Sequence, residues 1–209
     1  MTTRAWPLFD LRVTTPRLTL RLPREDELLR LAERAVGNVL APEQAGFMRA
    51  WAQLESPQFE REFMQFHWRA RAGWNPARWQ LPLGVYADGE LWGSMDGFAT
   101  EFLRLRSVTT GSWLMPEARG QGLGKEMRAA IVQLCFAGLG ACEVRSAAHP
   151  ENAASLGVSR ALGYREDGTE MMLSATGPVE ARRMRLARED WRPREDIEIS
   201  GLDLTLFGL

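Results

Sequence analysis

Glycines at 120, 122 and 124 punctuate the segment Arg119-Gly120-Gln121-Gly122-Leu123-Gly124-Lys125. Lys125 is the only lysine among 26 Lys+Arg, and the other cationic side chains are arginines. A glycine-rich turn that opens a helix is suited to anions. The first-turn N–H groups have no intrahelical partner and carry the positive end of the helix dipole. Glycine also removes the Cβ that would hold a phosphate away from the backbone. A P-loop would need Gly-x-x-x-x-Gly-Lys-Ser/Thr. Here Arg119 stands where the first glycine belongs and Glu126 where the hydroxyl belongs. A dinucleotide fingerprint needs Gly-x-Gly-x-x-Gly near the first strand, and these glycines have another spacing and lie mid-chain. Some thirty residues on, Asn152 and Ser155 offer an amide and a hydroxyl at the start of a short helical segment. Asp96, Glu101 and His149 are the candidate proton acceptors.

These groups must be positioned by strands and helices that the hydropathy pattern marks out. Leu18 to Leu22 alternates and reads as a strand. Leu28, Leu29, Leu31, Ala32 and Ala35 form a helical stripe behind the acidic start at Asp26. Residues 41–79 form a helical insert rich in tryptophan. Ser56-Pro57 is read as a helix start, with Phe59, Phe63, Phe66 and Ala70 on one face. Gln80–Tyr86 and Glu90–Phe98 form a hairpin about Asp88-Gly89. Arg106–Met115 is a strand that feeds the glycine loop. Leu123, Met127, Ala130, Ile131, Leu134 and Cys135 then recur at helical spacing. Cys142–Ala147 is a strand, Asn152–Leu162 a helix, and Arg165–Leu173 with Ala181–Leu186 an antiparallel pair. The tail alternates around Leu202, Leu204 and Leu206 and reads as an extra strand. The class is α+β.

Arg119 to Gly124 matches Arg/Gln-x-x-Gly-x-Gly/Ala, and so resembles the acyl-CoA pyrophosphate loop of the GNAT N-acyltransferase superfamily. Asn152-Ala153-Ala154-Ser155 with Ala161-Leu162-Gly163-Tyr164 resembles a second block of that superfamily. Trp113–Gly120 resembles its strand and loop entry. Thr15–Arg21 and Leu186–Trp191 are similar to the opening and ending of the ribosomal-protein alanine acetyltransferase (Rim-type) branch. The resemblance spans about residues 13–191. It implies one GNAT-like domain with a mixed, mostly antiparallel sheet, a central splayed parallel pair (106–115 and 141–148), and helices on both faces.

The resemblance also implies that acetyl-CoA or another acyl-CoA lies in that splay. The backbone of Leu114 and Met115 would hold the pantetheine arm. The loop Arg119, Gly120, Gln121, Gly122, Leu123 and Gly124 would hold the pyrophosphate. Arg119 would add a charge-assisted contact, Lys125 a point charge, and Asn152 a bond to the pantetheine amide. Many members carry a tyrosine acid seven residues after the asparagine, but here Ser159 stands there. Ser155 therefore becomes the candidate proton donor to the thiolate, or its hydrogen-bond partner. The glutamate that Rim-type enzymes often carry on the strand is Thr109 here, which leaves Asp96, Glu101 or His149 as base. An unperturbed lysine amine is neutral about once in 2,500 at pH 7, and an α-amine roughly a tenth of the time. A weak base therefore leans toward an α-amine. An arginine in the acyl pocket would admit a dicarboxylic acyl group such as succinyl, though sequence places none there.

Composition bounds the alternatives. With 26 Lys+Arg against 27 Asp+Glu the net charge is -1, which disfavours a nucleic-acid partner. Two cysteines and two histidines are sparse material for a disulfide framework or zinc site. Neither a membrane span nor a signal peptide is expected, so the default is a soluble cytoplasmic protein. The length allows one domain, with an arm at 1–16, the insert at 41–79 and a tail at 192–209. The acceptor is a protein N-terminus, a lysine or a small amine. The insert can wall an acceptor pocket or form a homodimer contact. The missing tyrosine and glutamate motivate a second reading, a non-catalytic CoA-binding or assembly module.

Overall fold

Alternating apolar positions become strands, and the strands join into one sheet. The computed structural model describes residues 4–39, 50–174 and 177–209. Its elements run β1 (Arg12–Thr14), β2 (Thr19–Arg21), α1 (Glu25–Ala35), α2 (Gln58–Ala72), β3 (Arg78–Ala87), β4 (Glu90–Thr100) and α3 (Phe102–Leu105). They continue as β5 (Ser107–Leu114), α4 (Leu123–Gln133), β6 (Glu143–Ala148), α5 (Ala153–Ala161), β7 (Arg165–Ser174), β8 (Gly177–Ala187) and β9 (Glu198–Ser200). The sheet order is β7-β8-β6-β5-β4-β3-β2-β1-β9. Among the described residues only β5 and β6 run parallel, so the architecture is the expected α+β arrangement with one central parallel pair.

Two apolar clusters hold helices on opposite faces. Leu28, Leu31, Phe59 and Phe63 of α1 and α2 pack with Tyr86 and Leu91. Met127, Ile131 and Leu134 pack with Leu83, Met95 and Val108 on the other side. The strand period of two assigns each β5 residue to a face. Val108, Thr110, Ser112 and Leu114 turn toward α4, while Thr109, Gly111 and Trp113 turn toward α2, where Trp113 meets Phe63 at 6.2 Å between ring centroids. The β3–β4 hairpin turns through Asp88 and Gly89, both at positive φ (50° and 82°) as a type I′ turn demands.

Three expectations change. Part of the supposed arm is structural: Arg12–Thr14 is a sheet strand, paired with β2 and β9 and burying Val13. The tail contributes only Glu198–Ser200 as strand. Leu204–Phe207 is a 3-10 turn that buries Phe207 against Trp74 and Trp79, and a single aromatic anchor replaces the alternating face. Ser56 does not cap α2, whose N-cap position is Pro57 with no side-chain cap bond. Of the insert, residues 41–49 lie outside the described residues. Among the described residues, no helix is long and apolar enough to cross a membrane.

Candidate active site

The parallel pair is registered only from Ser107↔Glu143 to Thr110↔Ser146. Beyond it the two strands part. A cleft of about 1130 Å³ opens there, lined from both faces of the sheet. Main-chain polarity in the gap follows from the β4 ladder. Met115 N–H donates to Trp92 C=O at 2.8 Å, so Met115 belongs to the β4 side. Hydrogen-bonded and non-bonded pairs alternate along an antiparallel ladder. The N–H and C=O of Leu114 and Ser112 therefore face the gap. Met115 C=O is also engaged, by Ala118 N–H at 3.0 Å. Its side chain is buried with α1 and α2. Met115 therefore turns away from the gap, and Ser112, one step back from Leu114, faces it.

The glycine loop follows β5 and opens α4. Gly120 and Gly122 sit at φ 74° and 80°, a region where only glycine is unstrained. Among the described residues, the N–H groups of Gly120 to Gly124 make no hydrogen bond. The first N–H to find an acceptor is that of Lys125, at Gly122 C=O, 3.1 Å away. Gly120, Gly122, Gly124 and Lys125 line the cleft, with the Lys125 side chain exposed. Gln121 and Leu123 serve the loop from behind. Gln121 donates to Glu117 C=O at 2.7 Å, and Leu123 is core.

Arg119 lines the cleft and is also engaged within the fold. Its Nε donates to Leu114 C=O at 2.9 Å and one terminal nitrogen to Val39 C=O at 2.5 Å. It therefore ties the loop to the end of β5, and burial lowers its pKa. A second clamp was invisible to sequence spacing. Arg17, on the β1–β2 turn, donates to Gln121 C=O at 2.9 Å and to Glu126 through Nε at 2.7 Å; Thr15 Oγ1 adds a 2.6 Å bond to the same carboxylate. Burial would raise the Glu126 pKa, but these donors bring it below the usual value.

On the far side of the gap, Asn152 caps α5 by accepting from Ser155 N–H at 3.0 Å. Asn152 and Ser155 both line the cleft. Ser159, in the position of the absent tyrosine, is only 1% exposed. Asp96 lines the cleft from the α2 face, opposite Gly111 on β5, and accepts from Ser94 Oγ at 2.5 Å. Trp51, Phe63, Phe66 and His67 wall that side. Burial, then Arg71, pushes the His67 pKa down to about 3. Glu101 is not brought to the site. It precedes α3, half-exposed and beside Arg104. His149 is also outside the cleft lining, with Nδ1 accepting from Glu151 N–H at 3.2 Å.

A splayed parallel pair that leads into an anion-binding loop is the arrangement of a transferase taking its acyl group from coenzyme A. Comparison with known proteins agrees. The acetyltransferase (GNAT) domain family matches residues 17–165. Among solved structures, Mycobacterium smegmatis RimJ in complex with CoA-disulfide is 20% identical, covering 88% of this chain and 90% of its own at TM-score 0.65. Ribosomal-protein-S5-alanine acetyltransferase from Vibrio fischeri is 14% identical, covering 87% and 99% at 0.60. Spermidine N-acetyltransferase from Vibrio cholerae, with CoA and spermine, is 17% identical, covering 83% and 97% at 0.64. The chain belongs to the GNAT acetyltransferase family. It is an N-acyltransferase enzyme with acyl-CoA as donor.

Proposed function

We propose that the enzyme moves acetyl or another short acyl group directly from CoA to a primary amine entering from the α2 face. One observation carries this reading: the cleft crosses the sheet at the splay, with the end of β5 and the glycine loop on one side and Asp96 under an aromatic wall on the other. The pyrophosphate would rest on the N–H groups of Gly120 to Gly124, with Lys125 supplying charge. Leu114 N–H would hold the pantetheine arm, leaving the thioester beside Ser112. Ser112 N–H is then the donor available to the tetrahedral oxyanion. Asp96, directly or through water, takes the amine proton, and Ser155 donates to the departing thiolate.

A carboxylate base such as Asp96 favours a protein N-terminal α-amine over lysine as acceptor. Small amines fit the same chemistry. The test is free-thiol release from acetyl-CoA over a panel of N-terminal peptides, lysine peptides and polyamines. Amine-dependent turnover, lowered about 10²-fold in Asp96→Asn or Ser155→Ala with CoA affinity retained, supports the reading. Binding of acyl-CoA without turnover on any amine replaces it with a non-catalytic CoA-binding module, which the Ser159 and Thr109 substitutions at the family's acid and base positions would accommodate.

A further inference from the structure

Among the described residues, Arg128 is the only buried Arg, Lys, Asp or Glu, at 3% exposure. It projects from the second turn of α4 into the floor of the cleft, where β5 and β6 separate. Its hydrogen-bond partners are neutral hydroxyls. One terminal nitrogen reaches Ser146 Oγ at 3.2 Å and Ser159 Oγ at 3.4 Å, and the other reaches Ser112 Oγ at 3.2 Å. Nε has no partner, and no carboxylate of a described residue lies within ion-pair distance. A buried guanidinium without a counter-ion is costly, and an aliphatic side chain would fill the same space more cheaply. The cation makes sense if the anion arrives with the ligand.

The path of the donor says which anion that is. The pyrophosphate belongs at Gly120 to Gly124, the pantetheine arm at Leu114, and the thioester at Ser112. Arg128 bonds the side chain of that same Ser112, so its guanidinium lies at the acyl end, one helical turn on from Gly124. Resting on the acyltransferase reading above, we propose that the acyl group is a dicarboxylic one whose distal carboxylate docks on Arg128 within the Ser112, Ser146 and Ser159 hydroxyls. Guanidinium geometry matches a carboxylate bidentately, and the three hydroxyls can turn to donate. Transfer from a succinyl thioester then balances simply. The neutral amine nitrogen forms a bond to the thioester carbon, the carbon–sulfur bond breaks, and the amine proton passes to sulfur. The products are a succinamide and free CoA thiol, with the distal carboxylate unchanged.

The experiment compares succinyl-CoA with butyryl-CoA, its neutral counterpart of equal chain length, and with acetyl-CoA. Thermal shift is measured without acceptor and kcat/KM with the best amine. Succinyl-CoA is expected to give the largest shift and at least a tenfold higher kcat/KM than butyryl-CoA. In Arg128→Met that ratio falls at least tenfold, with partial recovery in Arg128→Lys. Equal or better use of butyryl-CoA by the unaltered enzyme overturns the inference even if the variant fails to fold. Equal fractional losses for all three donors in Arg128→Met also overturn it, because they place the charge at the thiolate. A preference for succinyl-CoA that survives Arg128→Met overturns it too, and assigns the carboxylate to another cation. If no CoA thioester binds or turns over, the acyltransferase reading falls as well; if the neutral donors work as well as succinyl-CoA, that reading stands and only this inference falls.

Discussion

At the scale of single residues, backbone conformation and buried charge make separate demands. Gly122 sits at φ 80°, and a built Cβ meets only Arg17, at 3.4 Å. The obstacle to alanine there is therefore conformational, and holding it in the left-handed region costs about 1–2 kcal/mol. Gly122→Ala is expected either to lose that much stability or to relax the loop and weaken CoA binding about tenfold. Chemical denaturation and calorimetric titration with CoA distinguish the two, and a variant unchanged in both would refute the loop assignment. Arg128 shows the opposite economy. Its burial without a carboxylate is a cost borne for function, so Arg128→Met should raise unfolding stability by roughly 1 kcal/mol or more while impairing use of the donor. A clear loss of stability would instead mark the hydroxyl cluster as a structural brace. Of these two residues only the glycine was legible. A positive-φ requirement is written in residue type, whereas Arg128 falls between apolar Met127 and Ala129 and reads in sequence as another arginine among many.

At the scale of elements, distant segments hold the loop in place. Arg17 and Glu126 are 109 residues apart, yet their side chains join the β1–β2 turn to the first turn of α4. Arg17 also grips the loop carbonyl at Gln121. Arg17→Met should raise KM for acyl-CoA several-fold with little change in kcat, since the clamp orders the donor site and touches no reacting atom. The loss corresponds to about 1 kcal/mol for charge-assisted bonds that are partly exposed. Because the same contact is removed twice, Arg17→Met and Glu126→Gln together should cost much less than the sum of the two. Full additivity would show that the contact carries no coupling. Sequence revealed β3 to β8, α4 and α5 because their periodicity and caps are local. The Asn152 cap and the Asp88-Gly89 turn are local in the same sense. It missed β1, where only three residues pair, and it read Leu202, Leu204 and Leu206 as a strand because alternation does not register the pull of one buried aromatic, Phe207. Nor does anything local show that Leu114 and Val39 offer Arg119 two carbonyls.

At the scale of the whole molecule, the titrating groups predict how the fold fails in acid. Burial would raise Glu27, but Arg21, the Arg24 N–H and the Tyr86 hydroxyl bring it down to about 2. Glu143 behaves alike: burial opposes, while Arg145, Arg185 and Ser107 lower it to about 2. Both carboxylates bind protons more readily in the unfolded chain. Their contribution is intact above an unfolded value near 4.3 and is lost as pH falls toward 2. His67 acts earlier on the pH scale. Burial and Arg71 lower it to about 3 in the folded state, against an ordinary value near 6.5. Below pH 6.5 the unfolded chain takes up a proton that the folded one refuses. Stability should therefore begin to fall near pH 6.5, at up to about 1.4 kcal/mol per pH unit, and steepen below about pH 4.5 when the carboxylates join. The His67 phase at pH 5–6.5 and the carboxylate phase below it are thus separable by one substitution. His67→Leu keeps an apolar side chain against Phe63 and removes the first phase alone. Urea unfolding at pH 7.5, 6.0, 5.0 and 4.0 should show the variant flat down to about pH 5 and still acid-labile below it. If the early loss persists without His67, the buried imidazole is not its source.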